Sequence, residues 1–297
     1  MLTKFVIFSY YFELSRVKRI RMTKQTAGPI GVFDSGFGGL TVFGEIAKRL
    51  PQYDYIYLGD NARVPYGTRS YETVYQYTWE CVSRLFEMNC NLVILACNTA
   101  SAKALRTIQQ IHIPALYDLR RVLGVIRPTA EVAGQITKSK KVGIFATQGT
   151  VTSNSYVLEI KKFYPDLEVF QEACPMWVPL VENNEYKSPG ADYFIQKNVE
   201  NLLRKCPSID TVLLACTHYP ILIEKIRNFL PSSISIVAQG EIISCSLEDY
   251  LKRHPEIDRI CTKNYTQKFY TTDSAEFFNT KASEFLQLHI ESQHLAL

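Results

Sequence analysis

From residue 29 onward, short apolar runs alternate with longer amphipathic stretches, the pattern of a parallel sheet joined by crossover helices. In the first half, residues 30–33, 55–58, 92–96 and 114–117 read as strands. Between them, Leu40, Phe43, Ile46, Ala47 and Leu50 share one helical face ending at Pro51, and Val74, Tyr77, Cys81, Val82 and Leu85 share another. The next helix carries Ala104, Leu105 and Ile108 and is expected to stop before Pro114. A second series gives strands at 141–146, 167–170, 211–215 and 234–237, connected by helices at 154–163, 192–205 and 221–229. The tail reads as a helix at 241–253, a strand at 268–271 and a helix at 274–289. The pattern predicts an α/β protein: two pseudo-symmetric open α/β domains with largely parallel sheets and the active site in the cleft between them. Residues 29–126 and 239–297 are expected to form the first domain and residues 127–238 the second.

The chain's 297 residues, 46% of them apolar, suffice for two buried cores. No apolar run reaches the roughly 18 residues of a membrane span, so no membrane contact is expected. The formal charge of +4 misleads, because the first 28 residues hold six Lys/Arg against one Glu. The rest carries 27 basic and 28 acidic residues and makes no electrostatic case for nucleic acid. Within 1–28 an apolar patch precedes the basic stretch, the reverse of a secretory signal. This extension reads as a disordered or mis-assigned start, with Met22 favoured as the natural one. Eight cysteines without a CxxC pair argue for reduced thiols in a cytoplasmic enzyme, and neither a disulfide framework nor a metal is expected.

Two of those cysteines lie in near-copies of one phrase, LVILACNTA at 92–100 and TVLLACTHYP at 211–220, spaced 119 positions apart. Each is a buried-looking strand that ends at Ala-Cys and a small polar residue, which puts Cys97 and Cys216 at corresponding strand ends, where open α/β folds bind ligands. Cys81, Cys90, Cys206, Cys245 and Cys261 read instead as packing residues, with Cys174 intermediate. The loop GVFDSGFGG at 31–39 follows a strand, so its glycines are expected to allow a tight turn and close ligand approach beside Asp34 and Ser35. A second loop, at 58–68, carries Pro65-Tyr66-Gly67-Thr68 as a turn whose backbone N–H groups can hold a carboxylate. A thiol in each half, Asp34 on one side and His218 two residues from Cys216, invite acid–base chemistry.

With these residues assembled, the chain resembles the cofactor-independent glutamate racemases over nearly everything from Pro29 onward. The likeness rests on GVFDSGFGGLTV (31–42), LGDNARVPYG (58–67), ACNTA (96–100), ACPMWVPLVE (173–182) and ACTHYP (215–220), in order. The resemblance implies that Cys97 and Cys216 flank the substrate's α-carbon, one removing a proton while the other delivers one. It implies Asp34 as helper of Cys97, His218 as helper of Cys216, and Glu182 near the latter. Glutamate would be held by Asp34, Ser35, Pro65, Tyr66, Gly67, Thr68, Asn98, Thr99, Thr217 and His218, with Thr147 and Thr150 as weaker candidates. No cofactor is implied, and no lysine site for pyridoxal stands out; a homodimer and a role in peptidoglycan precursor supply are implied. Departures from the family pattern are Asn61 for a usual Thr, Thr129 where Gly is frequent, extra residues around 117–124 and the N-terminal extension. A racemase of aspartate or another acidic amino acid, an inactive glutamate-binding protein and a dithiol redox protein remain as alternatives.

Overall fold

The computed structural model describes residues 26–116, 119–286 and 289–297. The expected disordered start therefore lies outside the described residues as far as residue 25. Residues 26–28 are tied to the body: Gly28 N–H donates to the Ile260 carbonyl at 3.0 Å, and Asn91 Nδ2 to the Thr26 carbonyl at 2.8 Å.

Among the described residues, two wholly parallel sheets form. The first contains β1 (Ile30–Asp34), β2 (Tyr55–Gly59), β3 (Leu92–Leu95), β4 (Arg121–Gly124), β9 (Gln267–Thr271) and β10 (Ser292–His294), in the order β10-β9-β2-β1-β3-β4. The second contains β5 (Lys141–Ala146), β6 (Glu168–Ala173), β7 (Thr211–Ala215) and β8 (Ser235–Val237), in the order β6-β5-β7-β8. The inner block β2-β1-β3-β4 thus has the same topology as the whole second sheet, and β3 corresponds to β7. In each half the central strands are buried almost throughout, because a parallel sheet is covered on both faces.

The crossovers supply that cover. Helix α1 (Leu40–Arg49) turns Leu40, Val42, Phe43 and Ile46 onto one face of the first sheet, where α10 (Gly240–Arg253) and α11 (Ala275–Leu286) join it. On the opposite face α2 (Tyr71–Glu87) packs Val74, Cys81, Val82 and Leu85 against Phe33, Leu58 and Val93. The second sheet is covered on one side by α7 (Trp177–Glu182), α8 (Pro189–Lys205) and α9 (Ile223–Phe229). On the other lie α4 (Ile126–Val132) and α6 (Ser155–Phe163), while α3 (Asn98–Lys103) and α5 (Gln148–Ser153) follow β3 and β5.

The expected strand at 114–117 is absent: residues Ile113–Leu116 are helical, Tyr117 lies outside the described residues, and the edge strand is β4 instead. Pro114 does not end the helix because the backbone widens before it into a π-turn, with Ile113 N–H reaching the Ile108 carbonyl. That wider ladder relieves the clash a proline ring makes with the preceding turn. Strand β10 and the short helices α4, α5 and α7 also go beyond the periodicity, being too brief to leave a pattern. Cys81, Cys90, Cys174, Cys206 and Cys261 are buried, whereas Cys245, expected to pack, is exposed on α10.

Phe43 lies edge-on to Tyr55, Tyr57 and Phe269, with ring centroids 5.6, 5.7 and 5.5 Å away. Phe43→Ala is expected to cost about 3–5 kcal/mol of stability by leaving a cavity there. Urea unfolding checks this, and a loss under ~1 kcal/mol would mean that α1 contributes little to the first core.

Candidate active site

The C-terminal edges of the two sheets face each other, so the loops after β1, β3, β5 and β7 meet in one cleft. Strand β3 ends and Cys97 caps α3, its Sγ accepting from Ala100 N–H at 3.5 Å and lying 3.4 Å from Ser35 Oγ. Strand β7 ends one residue before Cys216, whose Sγ is 3.9 Å from His218 Nδ1. The cleft is narrow and is lined by both cysteines together with Ser35, Pro65, Tyr66, Gly67, Asn98, Thr99, Thr147, Val178, Thr217 and His218. A wider groove of about 970 Å³ between α1 and the ends of β7 and β8 reaches Cys216 but not Cys97, and its charged rim mixes Glu45 and Glu241 with Lys48 and Arg49. Only the smaller cleft has a thiol on each wall.

Behind each thiol stands a different set of charges. His218 Nε2 contacts Glu182 Oε1, which also receives the Phe37 N–H at 3.4 Å from the opposite lobe. Burial by itself depresses the imidazole, but its hydrogen bonds to Cys216 and Glu182 outweigh burial and hold His218 well above its ordinary range. Asp34, fully buried at the end of β1, accepts Gly36 N–H at 3.0 Å and the Thr217 hydroxyl at 3.3 Å. Burial lifts its carboxyl to about 6, against the pull of His218 and of the Gly36 and Gly39 N–H groups. Cys97 is pushed up to about 12 by burial and by the charge of Asp34, although Ser35 and the Ala100 N–H draw it down. A protonated thiol therefore occupies one wall, and a thiol paired with a cationic imidazole the other.

The glycine-rich loop serves an end other than the one its sequence suggests. None of its glycines adopts a positive φ. A Cβ on Gly38 would fall 2.4 Å from His218 Nδ1, and one on Gly36 would fall 2.5 Å from Glu182 Oε1. These glycines thus admit the side chains of His218 and Glu182 from the other lobe.

Most of the site residues named from sequence converge here. Thr147 and Thr150 hydroxyls lie 3.2 Å apart, and both reach Thr99, at 2.9 and 3.5 Å; Thr150 stands behind Thr147 rather than on the cleft wall. Thr68 does not converge: it is exposed and outside the cleft lining, because the turn after Gly67 carries it to the surface. Val178 lines the cleft too; it lies in the 173–182 phrase but is not singled out there, since an apolar residue in a helix reads as packing. No group of three or more His, Cys, Asp or Glu among the described residues is placed to hold a metal ion. No helix among them is long and apolar enough to cross a membrane.

The family model for Asp/Glu/Hydantoin racemase matches residues 39–240. The chain belongs to that racemase family. A glutamate racemase of Sulfurihydrogenibium sp. strain YO3AOP1 is 43% identical over 233 residues, 76% of this chain and 86% of that protein. Among solved structures, glutamate racemase isoform RacE1 of Bacillus anthracis superposes with a TM-score of 0.82 at 34% identity, covering 93% of this chain and 99% of that one. The glutamate racemase of Francisella tularensis in complex with D-glutamate gives 0.78 at 31% identity, covering 90% and 97%. In this member of the racemase family, both Ala-Cys phrases fall inside the matched region.

The raised Asp34 carboxyl sets a pH dependence. Folding makes this group hold its proton more tightly between its ordinary 3.8 and about 6, so its contribution to stability falls as pH rises through that window. Asp34→Asn is expected to remove that decline, read as melting temperature against pH; an unchanged slope would show that Asp34 is not the group responsible.

Proposed function

We propose that the chain interconverts L-glutamate and D-glutamate without a cofactor, by a two-thiol mechanism, and so supplies D-glutamate for peptidoglycan precursors. The observation that carries this reading is that Cys97 and Cys216 follow topologically equivalent strands, β3 and β7, and line one cleft. Inverting a stereocentre by proton removal and return needs a group on each face of the carbon, and two matched half-sites supply them. The relatives named as glutamate racemases, one of them holding D-glutamate, support glutamate as the substrate.

In the proposed reaction the Cα–H bond breaks as its proton passes to one sulfur, present as thiolate. The proton of the opposite thiol forms a new Cα–H bond on the other face, leaving that sulfur as thiolate. Roles exchange with direction. Cys97, held as thiol, is the donor of the resting site, and His218, whose Nδ1 lies 3.9 Å from the Cys216 sulfur, is the proton-transfer partner of the other. Glu182 holds the imidazole charged and oriented. Asp34, adjacent in sequence to the Ser35 that contacts Cys97, is the group that serves the Cys97 side when the direction reverses. The developing carbanion is stabilised by donors aimed at the carboxylates, among them Ser35, Asn98, Thr99, Thr147, Thr217 and the backbone around Gly67. Thr68 is left out. The reading carries with it a cytoplasmic homodimer, as the family resemblance implies.

Incubation with L-glutamate in deuterated water is expected to exchange the α-proton and yield the D-enantiomer on a chiral column. If a well-folded preparation gives neither, the reading is wrong. Cys97→Ser and Cys216→Ser are each expected to lower turnover by about 10²- to 10⁴-fold, the range for losing one acid–base group. Full activity in either variant overturns the two-thiol assignment.

A further inference from the structure

Behind the Cys97 loop lies a closed ring of hydrogen bonds. Asn98 Nδ2 donates to Gln239 Oε1 at 2.9 Å, Gln239 Nε2 donates to the Tyr156 hydroxyl at 2.6 Å, and that hydroxyl donates to Asn98 Oδ1 at 2.5 Å. Gln239 Nε2 also donates to Thr129 Oγ1 at 2.6 Å, and Thr129 in turn donates to the Val125 carbonyl at 3.0 Å. The four side chains are 2, 3, 0 and 0% exposed for Asn98, Gln239, Tyr156 and Thr129, so solvent offers none of them an alternative partner.

Tyr156 gives its single proton to Asn98 Oδ1, and Gln239 turns its amide nitrogen to Tyr156 and its oxygen to Asn98. Thr129 spends its proton on Val125 and accepts the other Gln239 hydrogen. Asn98 is left with its oxygen engaged and one Nδ2 hydrogen for the cleft it lines.

The members come from four different stretches of chain. Asn98 is next to Cys97 in the first lobe, and Tyr156 lies on α6 of the second. Thr129 and Gln239 belong to the two passages of chain between the sheets, from β4 to β5 and from β8 back to β9. A ring that ties both passages to the residue beside Cys97 is placed to fix the lobes' relative position.

We propose that Thr129, Tyr156 and Gln239 are positioning residues: through Asn98 they set the span between the Cys97 and Cys216 sulfurs across which the substrate's α-carbon must fit. Thr129, one of the chain's departures from the family pattern, adds a rung to the ring with its hydroxyl. The kinetic side of this proposal rests on the racemase reading, whereas the geometric side does not.

The test compares Tyr156→Phe, Thr129→Gly and Thr129→Ser with the unaltered chain, each checked for folding by thermal melting. One readout is racemisation; the other is bridging of Cys97 to Cys216 by dithiol-reactive reagents of graded length, located by mass spectrometry. Tyr156→Phe is expected to lower kcat by about 10- to 100-fold, the effect of sub-ångström to ångström misplacement, with KM changed far less. Thr129→Gly is expected to lower it by about 5-fold, one hydrogen bond's worth, and Thr129→Ser to restore it. Both damaging variants are expected to accept a wider range of bridging lengths than the unaltered chain. If Tyr156→Phe does not fold, the Thr129→Gly and Thr129→Ser pair decides. An unchanged range of bridging lengths overturns the proposal, whatever kcat does, and so does an unchanged kcat in an active enzyme. If the unaltered chain does not racemise glutamate while the variants still widen the range, the positioning role stands and the racemase reading falls.

Discussion

A polar group taken out of water has to find a hydrogen-bond partner, and leaving one unpaired costs about 1–3 kcal/mol. In this molecule the polar groups at the strand ends meet that demand across the cleft. Asp34 receives Thr217, Glu182 receives the Phe37 N–H, Thr99 faces Thr147, and the Gly67 carbonyl accepts Gly149 N–H at 2.7 Å. Each bond joins one lobe to the other. Parting the lobes would break all four at once, so the close approach of the two sheets is what satisfies the polar walls of the cleft. The bare backbone at Gly36 and Gly38 is what lets the lobes approach that closely.

The two thiols share a topology without sharing an environment. Cys97 is enclosed with a carboxyl group nearby and is held as thiol, while Cys216 faces an imidazole whose charge is anchored by Glu182. The difference traces to the two residues after each cysteine, Asn98-Thr99 at one and Thr217-His218 at the other, and to which neighbouring loop supplies the next shell of contacts. Ser35 comes from the loop after β1 of the same sheet, whereas Glu182 comes from α7 and reaches across to the first lobe's Phe37.

Much of this is legible along the chain because the information is local. Parallel strands buried on both faces are apolar runs, so β1, β2, β3, β5 and β7 stand out, and the repeated Ala-Cys phrase marks β3 and β7 as equivalents. Strand β4 escapes the pattern because Arg120 and Arg121 interrupt its apolar run and because Pro114 reads as a helix stop unless the π-turn is known. The ring of Asn98, Thr129, Tyr156 and Gln239 is not legible as a unit: Asn98 and Thr129 draw notice separately, but nothing along the chain links them to each other or to Tyr156 and Gln239. Val178 is hidden for the opposite reason: a valine in a helix looks like core wherever it points. Glu182 enters only through the family phrase, and its contact with His218 depends on tertiary placement.

The unequal surroundings of the two sulfurs have a further consequence under the proposed reaction. Mirror-image amino acids have the same free energy in water, so their interconversion has an equilibrium constant that favours neither hand. A catalyst leaves that constant alone, and the Haldane relation then requires equal specificity constants in the two directions. The asymmetry between Cys97 and Cys216 cannot make the protein better at one direction in that sense. It can only divide the common value differently, so that the enantiomer suited to the resting protonation state saturates the site at lower concentration and turns over more slowly.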